Sequence, residues 1–313
     1  MNAQRPRASA DAATTAETTG RKLYDRVAQE TASIVIRRYS TSFGLAARLL
    51  GAPVRQDVEN VYALVRVADE VVDGVAADAG LAEAEVLHTL DELERETERA
   101  MASGYSSNLV VHAFAISARS AGIDVDLTRP FFASMRADLT QTEHTPESFR
   151  EYVYGSAEVV GLMCLRIFLR GHVFSPQQHE AFIAGARSLG SAFQKVNFLR
   201  DLSADHDLLG RSYFPGVSVD DLTDAQKDEL LDDIDEDLAR SAAVLRLLPT
   251  SSRRAVALAQ GLFTELAARV RATPASALVH TRVRVPDPVK LRIAAGVVAG
   301  RLPHTRPHQE DAT

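Results

Sequence analysis

Apolar residues in this chain recur at spacings of three and four over nearly its whole length, and strand-like alternation is hard to find. A chain patterned this way buries its apolar stripes by packing helix on helix. The punctuation agrees. "SPQQ" (Ser175 to Gln178) supplies an N-cap, a proline at the first helical position and the glutamine a capping box needs. "TPES" (Thr145 to Ser148) repeats the cap and proline, and "TDAQ" (Thr223 to Gln226) is another capping box. The spacing predicts helices near 22–50, 54–76, 80–102, 106–121, 129–140, 146–171, 176–207, 220–246, 250–272 and 286–301, joined mostly by short connections. No solenoid repeat or composition break divides them. One all-α domain over 21–301 is expected, with disordered tails at 1–20 and 302–313.

The 313 residues are 46% hydrophobic and 25% charged, which suits a globular chain with a sizeable core. A net charge of −7 leaves no whole-chain footprint for nucleic acid, so no such partner is expected. The single cysteine, Cys164 in "GLMCLRIFL", excludes an internal disulfide and a cysteine-based zinc site, and reads as a small core residue. The first twenty residues lack an apolar signal-type run, and no uncharged apolar stretch reaches about 18 residues. "EVVGLMCLRIFLRGHVF" is interrupted by Arg166 and Arg170. A cytoplasmic location is expected, with peripheral membrane contact and oligomeric state left open. An acidic protein that takes an anionic substrate needs local arginine or a divalent cation.

Two acidic ridges meet that need. In "YALVRVADEVVDG" (62–74), Asp69 and Asp73 lie one helical turn apart on one face, with Arg66 three residues before. Like charges at this spacing weaken a helix slightly, and burying them without partners costs far more. Glu70 lies about 100° around the helix and is expected to leave the site. The second ridge is in "QKVNFLRDLSADHDLLGRSYFPG" (194–216), where Asn197, Asp201 and Asp205 recur every four residues. Gln194 extends it and Arg200 adjoins it. Mg²⁺ prefers oxygen and is typically held by one or two carboxylates plus substrate phosphates. Two such ridges across a cavity suit several Mg²⁺ ions bridging the protein to a diphosphate, with Arg66 and Arg200 neutralising more of its charge. By contrast, "LLDDIDEDLAR" (230–240) spreads its acids over several faces and reads as a solvated surface.

No nucleophile elbow, Walker-type loop or dinucleotide fingerprint is present. What remains is diphosphate departure assisted by metal, inside an apolar cavity whose aromatic faces can meet a carbocation and whose walls exclude water.

These residues resemble the squalene/phytoene synthase family, whose members join two prenyl diphosphates head to head. "RVADEVVD" resembles the family's first motif, and "QKVNFLRDLSAD" followed by "GRSYFP" resembles its second. "YSTSFGLAARLL" (39–50), "YVYGSAEVVGLM" (152–163) and "HTRVRVPDPVKL" (280–291) agree in order with three further family segments. The resemblance runs from roughly residue 30 to 295 and is closest to the bacterial phytoene synthases.

The resemblance implies a single-domain isoprenoid-synthase helical bundle around a central cavity. It implies metal ligation by Asp69, Asp73, Asn197, Asp201 and Asp205, with Mg²⁺ as cofactor and Mn²⁺ as a substitute. Diphosphate contacts fall to Arg66, Arg200, Arg282 and Lys290, and Tyr152, Gln194 and Arg66 stand at the reaction centre. The implied reaction passes through a cyclopropyl diphosphate. Two geranylgeranyl diphosphates giving phytoene, without NADPH, is the first expectation. Farnesyl diphosphate giving presqualene diphosphate, squalene or dehydrosqualene is the alternative, and a non-catalytic binding or assembly factor on the same fold is the competing class. A head-to-tail prenyl transferase, which would usually show DDxxD-type motifs, is a third possibility. Tyr39, Glu158, Ala204 and Phe263 depart from the family pattern and bear on chain length and product; Glu158 is expected as a charge near the cavity wall.

Overall fold

A computed structural model of the chain describes residues 8–40, 42–209, 213–218 and 221–302, with the side chains of 8–18, 42 and 203–209 excepted. Among the described residues there are fourteen α-helices and no strand. The first half runs α1 (Ala8–Tyr39), α2 (Ser42–Ala47), α3 (Ala52–Val72), α4 (Val75–Asp78), α5 (Glu83–Ser103), α6 (Leu109–Ala121) and α7 (Val125–Thr140). Then come α8 (Pro146–Val153), a π-helical turn (Tyr154–Glu158), α9 (Val159–Leu169), α10 (Pro176–Leu209) and α11 (Asp224–Val244). A 3₁₀ turn (Leu245–Leu247), α12 (Thr250–Ala272), α13 (Ala275–Leu278) and α14 (Asp287–Val298) complete it.

Several boundaries differ from the periodic pattern, each for a local reason. α1 begins at Ala8, inside the stretch expected as a tail, and its alanine-rich start carries high helix propensity. The helix expected over 22–50 breaks at Ser40. Its Oγ accepts from the backbone N–H groups of Phe43 (3.1 Å) and Gly44 (3.2 Å), which caps α2 and turns the chain. α3 stops before Gly74, whose φ of 108° is in the left-handed region that favours glycine. α7 starts four residues earlier than expected because Asp124 caps it, its carboxylate accepting from Asp126 N–H at 3.1 Å. The helix expected over 146–171 is interrupted by the π-helical turn.

Three apolar clusters hold these elements. Phe114, Phe131, Phe132 and Leu64 centre the first, among α1, α3, α6, α7 and α9. Leu199, Leu231, Ile234 and Val270 centre the second, among α10, α11 and α12. The third gathers Leu165, Phe182, Leu245, Leu248 and Leu258. Pro146–Leu169 is the one described stretch long and apolar enough to cross a membrane. Here it is a core element, with Val159, Met163 and Ile167 fully buried.

Glycines let α10 approach that element at backbone distance. A Cβ on Gly190 would stand 2.6 Å from the Ala157 carbonyl oxygen, and one on Gly161 would stand 2.6 Å from that of Ala186. Close contact on one side leaves room on the other, where the cavity lies.

Candidate active site

A cavity of about 530 Å³ runs between the clusters, walled by α1, α2, α3, the π-helical turn, α9, α10, α11 and α12. Its lining follows α10 from Phe182 through Gly185, Ala186, Leu189, Gly190 and Phe193 to Gln194, Asn197 and Arg200. That span is about 27 Å of helix. α3 repeats the gradient, from Val58 and Val61 through Tyr62 and Val65 to Arg66. The cavity is therefore apolar at one end and carries Arg66, Gln194, Asn197, Arg200 and Arg282 at the other.

Along the apolar wall, Phe193 and Phe263 stack at 3.7 Å between centroids, and Phe43 stacks on Tyr62 at 6.0 Å. Cys164 faces this wall, and burial pushes its thiol up to about 12, so it stays neutral. Phe263, a departure from the family pattern, is thus a wall residue. Glu158 is not: it does not line the cavity, and Arg187 Nε holds its carboxylate at 2.6 Å. The π-helical turn explains this, since it presents Ser156 and Ala157 to the cavity instead.

At the polar end Arg66 is held by three groups. Its guanidinium lies 4.8 Å from the Tyr39 ring centroid, Nη1 is 4.0 Å from Asp69 Oδ2, and Nη2 donates to Glu70 Oε1. Glu70 therefore stays with the site, contrary to the expectation. Angle from Asp69 decided that expectation, but Glu70 is the i+4 neighbour of Arg66 and on its face. Arg66 Nε is buried with no hydrogen-bond partner among the described residues. Tyr62 beside it keeps its proton, because burial raises its phenol.

Burial, first, and then the charge of Asp73 push the Asp69 carboxyl up to about 8, against the opposing pull of Arg66. Asp138 on α7 adds to the rise. Sequence reasoning missed Asp138: an isolated acid on another helix has no spacing to betray it.

On α10, Asp201 sits between two arginines. Arg282 Nε reaches its Oδ1 at 2.7 Å and Nη2 reaches Oδ2 at 3.3 Å, while Arg200 Nε reaches Oδ1 at 3.0 Å. One turn back, Asn197 lines the cavity with its Oδ1 buried and without a hydrogen-bond partner among the described residues. A buried, unsatisfied amide oxygen is costly in a dry protein and suits a cation ligand. Asp205 belongs to α10, but its side chain is outside the described set. Ala204, beside it, is likewise undescribed. Among the described residues no three His, Cys, Asp or Glu side chains converge to hold a metal alone.

Asp69, Asp73, Asp201, Lys290 and Tyr152 are not among the residues that line the cavity; Asp69 and Asp201 adjoin it through Arg66 and Arg282. Lys290 pairs with Asp287 at 3.1 Å, on the first turn of α14. Tyr152 is buried behind the wall, its hydroxyl donating to Asp138 Oδ1 at 2.7 Å and its ring packed among His144, Phe198 and Tyr213. Burial and the Asp138 charge hold its phenol well above the usual range, so it remains a donor.

The protein is all-α among the described residues, with a long apolar cavity that carries arginines at one end and carboxylates paired with them just outside its lining. The chain belongs to the squalene/phytoene synthase family, whose model matches residues 36–288. It is 29% identical over 258 residues to a phytoene synthase of Pseudescherichia vulneris, covering 76% of this chain and 81% of that one. It is also 29% identical over 209 residues to a bifunctional lycopene cyclase/phytoene synthase of Phaeosphaeria nodorum, where 61% of this chain matches and it spans only 35% of that protein. A solved dehydrosqualene synthase shares its fold, with a TM-score of 0.74 at 23% identity over 88% of this chain and 97% of the other. As a member of this family the chain is an enzyme of the prenyl transferase class.

Proposed function

We propose that the chain joins two prenyl diphosphates head to head through a cyclopropyl diphosphate, in the cytoplasm, using two geranylgeranyl diphosphates to make phytoene for carotenoid synthesis. The observation that carries this reading is the polarity of the cavity, with Arg66, Asn197, Arg200 and Arg282 at one end and the Phe182, Leu245 and Leu248 side chains lining the apolar remainder. A prenyl diphosphate has the same polarity. Asp69, Asp73, Asn197, Asp201 and Asp205 are the residues that would hold Mg²⁺, and their oxygens fit that ion. Bound there, the metal would supply charge neutralisation that makes diphosphate a better leaving group.

The chain's own groups do the rest. Arg66, Arg200 and Arg282 present guanidinium forks to phosphate oxygens, a bidentate geometry lysine cannot supply. Pulling these arginines from Asp201 and Glu70 onto substrate frees carboxylate oxygens at the moment the diphosphate arrives. Gln194 stands where the polar end meets the apolar wall, next to where the first allylic carbon would lie. The Phe193–Phe263 pair and Tyr62 offer π faces to positive charge, and the apolar wall keeps water from capturing it.

The test is to incubate the purified chain with geranylgeranyl or farnesyl diphosphate, with Mg²⁺ or EDTA, and to weigh the product. A C40 hydrocarbon formed only with Mg²⁺ is expected. A C30 product would replace the substrate by farnesyl diphosphate, and no product from either would overturn the reading.

A further inference from the structure

Asp138 is a buried carboxylate near the candidate site that neither acidic ridge contains. It lies on α7 with 9% of its surface exposed. Its Oδ1 accepts from two phenols on separate parts of the chain: Tyr152 on α8 at 2.7 Å, and Tyr213, beyond the end of α10, at 3.4 Å. The two rings pack 5.4 Å apart, and Tyr213 lies flat on Phe198 of α10, at 3.9 Å and 11°. One carboxylate oxygen thus gathers α7, α8, α10 and the segment that follows α10.

The rest of α7 supports the same job. Pro130, Ser134 and Asp138 are spaced by four and share one face of the helix. Ser134 Oγ donates to the Tyr152 carbonyl at 3.0 Å, and the Pro130 carbonyl and Ser134 Oγ occupy the space a Gly155 side chain would need, both 2.2 Å from its Cβ position. This face seats the start of the π-helical turn, which then delivers Ser156 and Ala157 to the cavity. Asp138 ends the stripe. A buried charge is retained at such a place only when strong partners hold it.

We propose that Asp138 is a positioning residue, whose carboxylate anchors the Tyr152 and Tyr213 hydroxyls and so fixes the 213–218 segment, which follows α10, against α7 and α8. The consequence for turnover rests on the function proposed above, whereas the anchoring does not.

The experiment compares the full chain with Asp138→Ala, Asp138→Asn and Tyr213→Phe. Amide hydrogen exchange over 213–218 reports the anchor, the thermal melt reports the fold, and kcat, KM and the half-saturating Mg²⁺ concentration are read with each prenyl diphosphate. The alanine variant should exchange about tenfold or more faster over 213–218 and lose about 10- to 100-fold in kcat, the scale of a lost hydrogen bond to a charged group. The asparagine variant keeps an acceptor oxygen and should recover most of the exchange protection and part of kcat. A merely structural role would lower the melt without this rescue. Equal exchange over 213–218 in the alanine variant and the parent, kcat within about twofold of the parent, or asparagine no better than alanine would each overturn the proposal. Should the alanine variant not fold, Tyr213→Phe removes one donor only and must still speed exchange over 213–218. If the parent turns over neither prenyl diphosphate, the function is wrong, and the exchange data alone decide whether Asp138 anchors.

Discussion

Arg282 grips Asp201 through both ends of the carboxylate, with Nε 2.7 Å from Oδ1 and Nη2 3.3 Å from Oδ2. The same guanidinium is a candidate diphosphate ligand and the same carboxylate a candidate metal ligand, so each occupies the other before substrate binds. Arg282→Ala should therefore act in opposite directions on the two ligands. The KM for prenyl diphosphate should rise about tenfold or more, as a charged hydrogen bond is lost. Binding of Mg²⁺ to the substrate-free protein should tighten, because Asp201 loses one of its two cationic partners among the described residues. Calorimetry with Mg²⁺ and steady-state kinetics measure the two effects, and a weaker metal affinity would show that Arg282 organises the metal site rather than competing with it.

Asp69 carries a stability cost that its removal should reveal. Burial, and then the charge of Asp73, push its folded carboxyl up to about 8, well above the ordinary carboxylate range. Folding therefore favours its protonated form. The stability this gives the metal-free protein is full below the unfolded value and is lost as pH climbs through the folded one, by on the order of a few kcal/mol. In EDTA, the parent's melting temperature should fall between pH 5 and pH 9 by several degrees more than that of Asp69→Asn. The variant should also be the more stable protein at pH 9 while losing turnover. Parallel melting curves across that range would refute the assignment.

Sequence spacing exposed the parts of this site that lie along one helix. Asn197 and Asp201 on α10, and Arg66 and Asp69 on α3, follow from a fixed rise per residue, and Gln194 falls into the same register. What spacing could not expose is what one helix does to another. Asp138 meets Tyr152 and Tyr213 only because α7 crosses behind α8 and the end of α10. The backbone break at Ser40 depends on a hydroxyl satisfying two N–H groups in competition with an apolar pattern that would have continued the helix. The π-helical turn likewise rests on the backbone contact of Gly155 with Pro130, and it decides that Glu158 faces Arg187 rather than the cavity.

Glu70 lies outside the acidic ridges and yet bonds Arg66 directly. Glu70→Gln keeps the shape and an acceptor oxygen but removes the charge that holds Arg66 when no substrate is present. The predicted result is a modest change in KM, about threefold or less, against a loss of about tenfold or more for Arg66→Ala. A Glu70→Gln effect as large as that of Arg66→Ala, measured as kcat/KM, would make Glu70 a ligand in its own right.

The close packing of α10 on the π-helical turn and α9 makes a prediction with an internal control. A methyl on Gly190 would meet the Ala157 carbonyl oxygen at 2.6 Å, and one on Gly155 would meet both Pro130 O and Ser134 Oγ at 2.2 Å. These neighbours are backbone or tightly held, so the helices must separate. Gly190→Ala should cost about 1–3 kcal/mol, the usual price of overpacking, and Gly155→Ala should cost more. Gly296 in α14 has nothing within 4 Å of its Cβ position. There the same substitution should stabilise by about 0.5–1 kcal/mol, through helix propensity alone. Urea unfolding of the three variants gives the order. Since Gly190 also lines the cavity, its alanine variant should shift the product spectrum with the two prenyl diphosphates, whereas Gly296→Ala should leave it unchanged; identical spectra for both would mean that this contact does not set the cavity's width.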